Sequence, residues 1–587
     1  MRPRRDRRAR LLATTAALAV LTGAAACTSG GAPATGAGPA ASGTQAEVDP
    51  VAGDRAQERS AQLVTAEEKR IYAVSALEPG DHPAYVAPAV APSTISTVVL
   101  TARPLPYRLE SLANLGAATR RADGGWDLLM SVVVERGATL HVEAPGTQLR
   151  MVSGPAGFTS IVAVKGTLEM VGEQGRPLEV TSWDPVSGHA DEDTTDGRAY
   201  LRTAGGRLDL TDVSASSLGF WSGRTGGISW TGSNSQPSTG TALRTAVQRS
   251  HFGMFAARTD GLVIDSGSLR DNELDGLLVH RRSNGITVRG TEMVHNGRNG
   301  VTVAAGASQV TLSGITVHDN AVDGIRIDGT PRTDPAGADP NAAPGHAFTV
   351  ERSVLDGNGE SGIVANAAAE LTLVDNNVVG SPDGIVVSGA AARQEVRGNT
   401  VEARGFGIAV RNGATEAQLT GNTVRTATIA LQVSDARADL RQNVVGAAHR
   451  YAVSLTGSSG GSTVSGNRLG GRGPAAIDTV RVRSGTAVQV GPNDDSGWVV
   501  DRDETGRYLA YVADHPLLLL WLLILVVPVA AGLWTRRRRQ VPAAVADEDE
   551  PEDPMRTTPL PVVRRRDTEA TFAMPVTRVT IVSEPDR

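Results

Sequence analysis

Lysine is almost missing from this chain of 587 residues: Lys69 and Lys165 are all it has, and arginine supplies the rest of the basic charge. That removes most lysine-based chemistry. Cysteine occurs once, at Cys27, which excludes a disulfide scaffold and a cysteine-rich metal site. Aromatic residues make up only 4%, whereas glycine reaches 66 residues. A compact core built on large rings is therefore not expected; many short strands and tight turns are. A basic stripe is missing too. The formal net charge is −6, so no footprint for nucleic acid is expected.

Long apolar runs are confined to the two ends. The start reads MRPRRDRRAR, LLATTAALAVLTG and AAAC: a basic region, a short apolar region and a small-residue cleavage site, as in a secretory signal peptide over residues 1–26. AAAC resembles a bacterial lipobox, which implies a lipid on Cys27 after cleavage. Ala24 stands where that motif has leucine, and an ordinary cleavage site reads the same way. Near the other end, PLLLLWLLILVVPVAAGLW covers residues 516–534 without a charge. At ~1.5 Å per residue it makes ~28 Å of helix, enough for a bilayer core of ~30 Å. Arginines 536–539 follow and place the tail 535–587 in the cytoplasm. That tail is Pro/Thr-rich, runs from acidic to basic, and reads as disordered, with Thr568 beside arginines as a kinase target. The expected layout is a tether and mixed segment over 27–94, with a helix near AEEKRIYAVSALE. A repeat domain follows over 95–495, then a juxtamembrane linker over 496–515. The expected location is the cell membrane, single-pass, with the repeat domain outside.

The repeat dominates the middle. DGLLV, NGVTV, DGIRI, SGIVA, DGIVV and FGIAV carry Gly276, Gly300, Gly324, Gly362, Gly384 and Gly407, with steps of 24, 24, 38, 22 and 23. The period is near 23, with one insertion of about 15 residues. Asn272, Asn296, Asn320 and Asn358 fall four residues before a repeat glycine, and Asn376, Asn399, Asn422, Asn443 and Asn467 continue at similar steps. Stacked coils put equivalent residues ~4.8 Å apart, so these amides are expected to hydrogen-bond as a ladder. The glycines are expected to supply positive φ beside each strand. Three short strands per coil give an all-β chain, a right-handed parallel β-helix (a solenoid), plus the one C-terminal transmembrane helix. The pattern resembles the right-handed β-helix repeat family, the pectin-lyase-like fold that includes NosD-type proteins. The resemblance is clear over residues 245–480 and weaker upstream to about residue 95.

That resemblance implies a polysaccharide-related activity without supplying its residues. No Asp-Pro here is followed by His, so the Asp-Pro-His-Glu motif of mannuronan epimerases of this fold is absent. The paired-aspartate motifs of polygalacturonases are missing as well. Three constellations remain. Asp271, His295 and Asp319 share one position on consecutive coils, with His318 adjacent. A histidine between carboxylates is expected to hold its proton more tightly and to shuttle protons or bind a cation; a polar turn column gives the same pattern. Arg326, Asp328, His280, Asn366 and Arg411 lie two to four residues after the glycine, where Arg326 points opposite to Ile325 and Ile327. The insertion leaves just after Asp328 and carries Asp334, Asp339 and His346; it is expected to wall a groove. Asp191, Glu192, Asp193 and Asp196 crowd one loop with His189 and Arg198. Such oxygen density suits Ca²⁺, or a solvated acidic cap; no other cofactor is implied. Trp183, Tyr200, Phe220, Trp221 and Trp230 lie nearby, and exposed rings, Trp221 and Trp230 among them, stack on sugars.

The leading expectation is a membrane-anchored surface protein that binds or modifies an envelope or extracellular polysaccharide, by lyase- or epimerase-like chemistry if it is an enzyme. The alternatives are a non-catalytic structural or adhesion rod, or a receptor signalling through the cytoplasmic tail.

Overall fold

The computed structural model of the protein describes residues 50–77, 82–280, 282–331, 345–483, 485 and 487–501. The leader 1–26, Cys27, the apolar run 516–534, the tail 535–587, and Asp334 and Asp339 of the insertion lie outside the described residues. Among the described residues no helix is long and apolar enough to cross a membrane.

One coil shows how the sequence makes the fold. Leu277–His280 forms the first face, Asn284–Arg289 the second and Glu292–Val294 the third. Alternation sends Leu277 and Val279, Ile286 and Val288, and Met293 inward, all with no exposed surface. Each strand pairs in parallel with its counterpart one coil on: Leu277 with Val301, Ile286 with Val310, Met293 with Val317. The second faces make a 14-stranded sheet from Thr139–Glu143 to Gln489–Val490. The chain is a right-handed parallel β-helix. Its core is one aliphatic column, which explains the scarcity of rings. Tyr107, Leu109 and Leu112 close the first coil, with the short helix Leu109–Asn114 and a hairpin of Ala118–Arg120 with Trp126–Leu128.

The repeat glycines do a different job from the expected one. Gly276, Gly300 and Gly324 are absent from the positive-φ residues, and in these coils the left-handed corner before the glycine falls on Asp271, His295 and Asp319 at 55, 53 and 54°. A Cβ on those three glycines would lie 2.7, 2.8 and 2.6 Å from the carbonyl oxygen of the next repeat glycine. Close approach of neighbouring coils requires them, not a left-handed turn.

The asparagines form two ladders at different turns. Between third and first faces, Asn272, Asn296 and Asn320 each donate from Nδ2 to Oδ1 of the next amide at 2.9 Å, ending on Asn358. Between second and third faces, a second ladder begins at Asn376 and passes through Asn399, Asn422, Asn443 and Asn467 to Asn493. The first ends and the second begins in the circuit that follows the insertion.

Ahead of residue 95 lies the helix Pro50–Ser75, which packs on the first face through its stretch from Leu63 to Val74. Ile71 meets Phe158, Val162, Tyr200 and Phe220, and Val74 meets Ala87, Val99 and Val133. The strand Ala84–Ala87 then pairs antiparallel with Thr97–Leu100.

Candidate binding face

Outward positions of the first face run in rows along the solenoid. The register joins Leu278, Thr302, Arg326, Val364, Val386 and Ala409 in one row. Two residues on, Asp328, Asn366, Ser388, Arg411 and Ser434 make a second row. His280 stands two residues after Leu278, where it pairs with Ala257. The residues expected from the sequence to share this face therefore do so. Asn366 donates to Asp328 Oδ1 at 3.4 Å and accepts from Ser388 Oγ at 3.2 Å, while Asp328 also accepts Thr330 N–H at 3.0 Å. Arg411 donates to Gln432 Oε1 at 2.9 Å, lies 3.8 Å from Asp383, and covers the Phe406 ring at 4.3 Å. The strip so formed is polar, partly exposed, and carries guanidinium, carboxylate, amide and hydroxyl groups.

Arg326 is half-exposed, as its outward position requires, but it has a partner. Its Nη2 sits 2.6 Å from Oδ2 of Asp323, which has no exposed surface. That contact is ionic without hydrogen-bond geometry, so Oδ2 has no hydrogen-bond partner. Burial pushes the Asp323 carboxyl up, against the opposing pull of Arg326. Oδ1 accepts Ser361 N–H at 3.1 Å. Arg326 thus closes a polar turn before it meets any ligand.

The histidine column is also assembled. His295 lies 3.6 Å from Asp271 and 3.8 Å from Asp319. The neighbouring His318 holds its proton more tightly, through a 2.9 Å hydrogen bond with Asp319 and Glu292 at 3.5 Å. The column occupies the left-handed corner of the turn, where Asn, Asp and His are tolerated best.

The aromatic expectation needs correcting. Trp230 has no exposed surface, and its indole N–H donates to Leu208 O at 3.0 Å inside the core. Tyr200 and Phe220 are equally buried, and of the pair named for sugar stacking only Trp221, 41% exposed, offers a ring to solvent. Trp230 shares its strand parity with Ile228, and this alternation was the signal in the sequence. In the acidic loop, Asp191 is buried and Glu192 and Asp193 are exposed. Burial, then Asp193 and Asp191, raise the Asp196 carboxyl to about 6. Among the described residues no group of three or more His, Cys, Asp or Glu side chains is placed to hold a metal ion. His346 is exposed and contacts Ser308 at 3.3 Å.

Two polar groups were not foreseen. His251 Nδ1 lies 2.8 Å from Glu273, which takes Arg198 at 2.7 Å on its other oxygen. The Nε2 of that histidine is buried and has no hydrogen-bond partner. An oriented imidazole closed to solvent is not placed to meet a substrate. The other group lies under the helix. Arg70 pairs with Glu67 at 2.7 Å and donates to Thr97 Oγ1 at 2.6 Å and Ser160 Oγ at 2.8 Å; Tyr200 Oη donates to Glu67 at 2.5 Å. Burial alone would push the Glu67 carboxyl up, but the Arg70 charge and the surrounding donors outweigh it and hold it below the usual range. Glu68 bridges Arg202 and Arg224. A Glu and an Arg inside an otherwise apolar helical stripe were the available signal.

Fold and face together define a right-handed parallel β-helix protein. Residues 226–401 and 342–469 match the family profile described as right handed beta helix region. Among solved structures, the chain is similar to the periplasmic alginate epimerase AlgG at 13% identity, covering 73% of this chain and 96% of that one with a TM-score of 0.48. It is also similar to a mannuronan C-5 epimerase A-module of Azotobacter vinelandii, at 14% identity over 68% of this chain and 100% of that one, TM-score 0.40. The catalytic unit of a thermostable α-1,3-glucanase from Streptomyces thermodiastaticus gives 16%, 62%, 65% and 0.37 in the same terms. Likenesses of this size concern the course of the chain and not its chemistry. No curated protein matches the chain.

Proposed function

We propose that the open part of the first face binds an extended polysaccharide laid along the solenoid axis, on a protein exported and held at the membrane by its C-terminal apolar run. The observation that carries this reading is the polar row of Asp328, Asn366, Ser388 and Arg411, flanked by Arg326 and then by the small apolar side chains Val364, Val386 and Ala409. Coils repeat every ~4.8 Å, so a chain of sugars along the axis meets a fresh hydrogen-bonding side chain at each step, Asp328, Asn366, Ser388 and Arg411 in turn. Guanidinium groups in the strip suit carboxylate-bearing sugars; the amides and hydroxyls suit their hydroxyl groups. Binding, rather than a named reaction, is what this geometry supports. The rod reading draws on the two ladders, which need no ligand to account for them.

The test is titration of the purified protein against acidic and neutral glycans, repeated with Arg411→Ala and Asn366→Ala. Loss of a charge-assisted contact should weaken binding by ~1.5–3 kcal/mol, about tenfold or more, for Arg411→Ala, and less for Asn366→Ala. Unaltered affinity in both variants would move the site off this strip.

A further inference from the structure

Resting on the binding reading above, we propose that the helix Pro50–Ser75 is a displaceable lid over a second, acid-binding stretch of the same face. In this arrangement its carboxylates Glu67 and Glu68 stand where two carboxylates of an acidic polysaccharide would bind.

The covered stretch continues the open one. The register carries the Arg326 row back through Thr302, Leu278 and Phe255 to Ser229 and Arg202. At that end, the residues facing out from the solenoid are polar where the lid carboxylates sit. Tyr200 and Ser160 surround Glu67, and the guanidiniums of Arg202 and Arg224 converge on Glu68. Two adjacent carboxylates seated on hydroxyls and paired arginines reproduce the recognition of an acidic chain, with the ligand supplied by the protein itself.

The lid is also built in a way that permits departure. A helix meant only to cover apolar strands would place apolar residues at 67 and 70. A buried ion pair is weak evidence for stability, since its desolvation offsets its attraction. Here Glu67 and Arg70 leave together as an i,i+3 pair that water can solvate. Ile71 and Val74 are the large apolar side chains buried on this helix among the described residues, with Leu63 and Val64 partly buried beside them. A cavity of about 450 Å³ runs beside it, walled by Leu63, Pro92, Pro155 and Phe158, so the lid is not packed closely on that side. Once it lifts, Arg202 loses Glu68 and keeps its bond to Thr231 Oγ1, and the exposed stretch favours an anionic ligand.

The experiment is hydrogen exchange on the full chain with and without polygalacturonate, using neutral dextran as control, together with affinities for wild type and Glu67→Gln/Glu68→Gln. The proposal expects polygalacturonate, and not dextran, to speed exchange in residues 60–74, and the double variant to bind polygalacturonate about tenfold more tightly. Protection over residues 302–432 with unchanged exchange in the helix, and no gain in the double variant, overturns the lid and leaves the open strip standing. Protection nowhere in either protein overturns both readings. The exchange measurement on wild type decides even where the variant is poorly folded.

Discussion

Gly384 and Gly421 look alike in the sequence and differ in what they do. A Cβ on Gly384 would lie 2.4 Å from Gly407 O and 2.3 Å from Val401 Cγ1, whereas Gly421 has φ +65° and nothing within 4 Å. Gly384→Ala therefore overpacks two coils and should cost about 3 kcal/mol, against about 1 kcal/mol for the left-handed strain of Gly421→Ala. Denaturant midpoints of the two variants check this; equal losses would reject the distinction. Arg326 gives a second contrast. Removing it orphans buried Asp323, so Arg326→Ala should lose about 1–3 kcal/mol at neutral pH. Burial raises that carboxyl in the folded state, so the native protein binds the extra proton and the loss should shrink as pH falls through the carboxylate range. A loss independent of pH would show that Asp323 is not its source. The outward direction of Arg326 could be read from Ile325 and Ile327. Its partner could not, because Asp323 comes within reach only where the turn folds back.

At the scale of elements, helix and acidic loop meet at the cavity lined by Glu67, Phe158 and Asp196. The Asp196 carboxyl is raised to about 6, by burial first and then by Asp193 and Asp191. Between the unfolded value and about 6 the native state holds more protons than the unfolded one, so stability falls as pH rises through that window. Asp196→Asn removes the charge, and should melt higher than wild type at pH 7.5 with the difference vanishing near pH 4. A gap of the same size at both pH values in thermal melts would reject this. The helix itself was legible in AEEKRIYAVSALE, but its seat was not. Docking depends on the rows Val99, Val133 and Val162 lying side by side, and those rows exist only once coils of unequal length have been stacked.

At the scale of the molecule, the period, the aliphatic column and the amide stack all stood in the sequence, because a solenoid repeats the same local demands at each coil. What periodicity hid was that the asparagines occupy two turns, since both series advance by nearly the same step. Asn399 accepts from Asn376, donates to Leu373 O and to Asn422 Oδ1, and is fully buried. Asn399→Ala should cost about 2–4 kcal/mol through several orphaned groups. The rise in hydrogen exchange should centre on the coils of Asn376 and Asn422; uniform loosening of the whole solenoid would contradict nearest-neighbour coupling.

The changeover between the ladders has a mechanical meaning. The first ends at Asn358 and the second starts at Asn376, within a single circuit of the chain, and the joint is tied by Ser353, whose N–H donates to Asn376 Oδ1 at 3.1 Å, as a header ties two courses of a wall. Without that bond the two amide stacks would stand apart at the joint. With it, a pull along the axis meets side-chain amide bonds from Asn272 to Asn493, and both stacks stand at turns other than the one that follows Asp328.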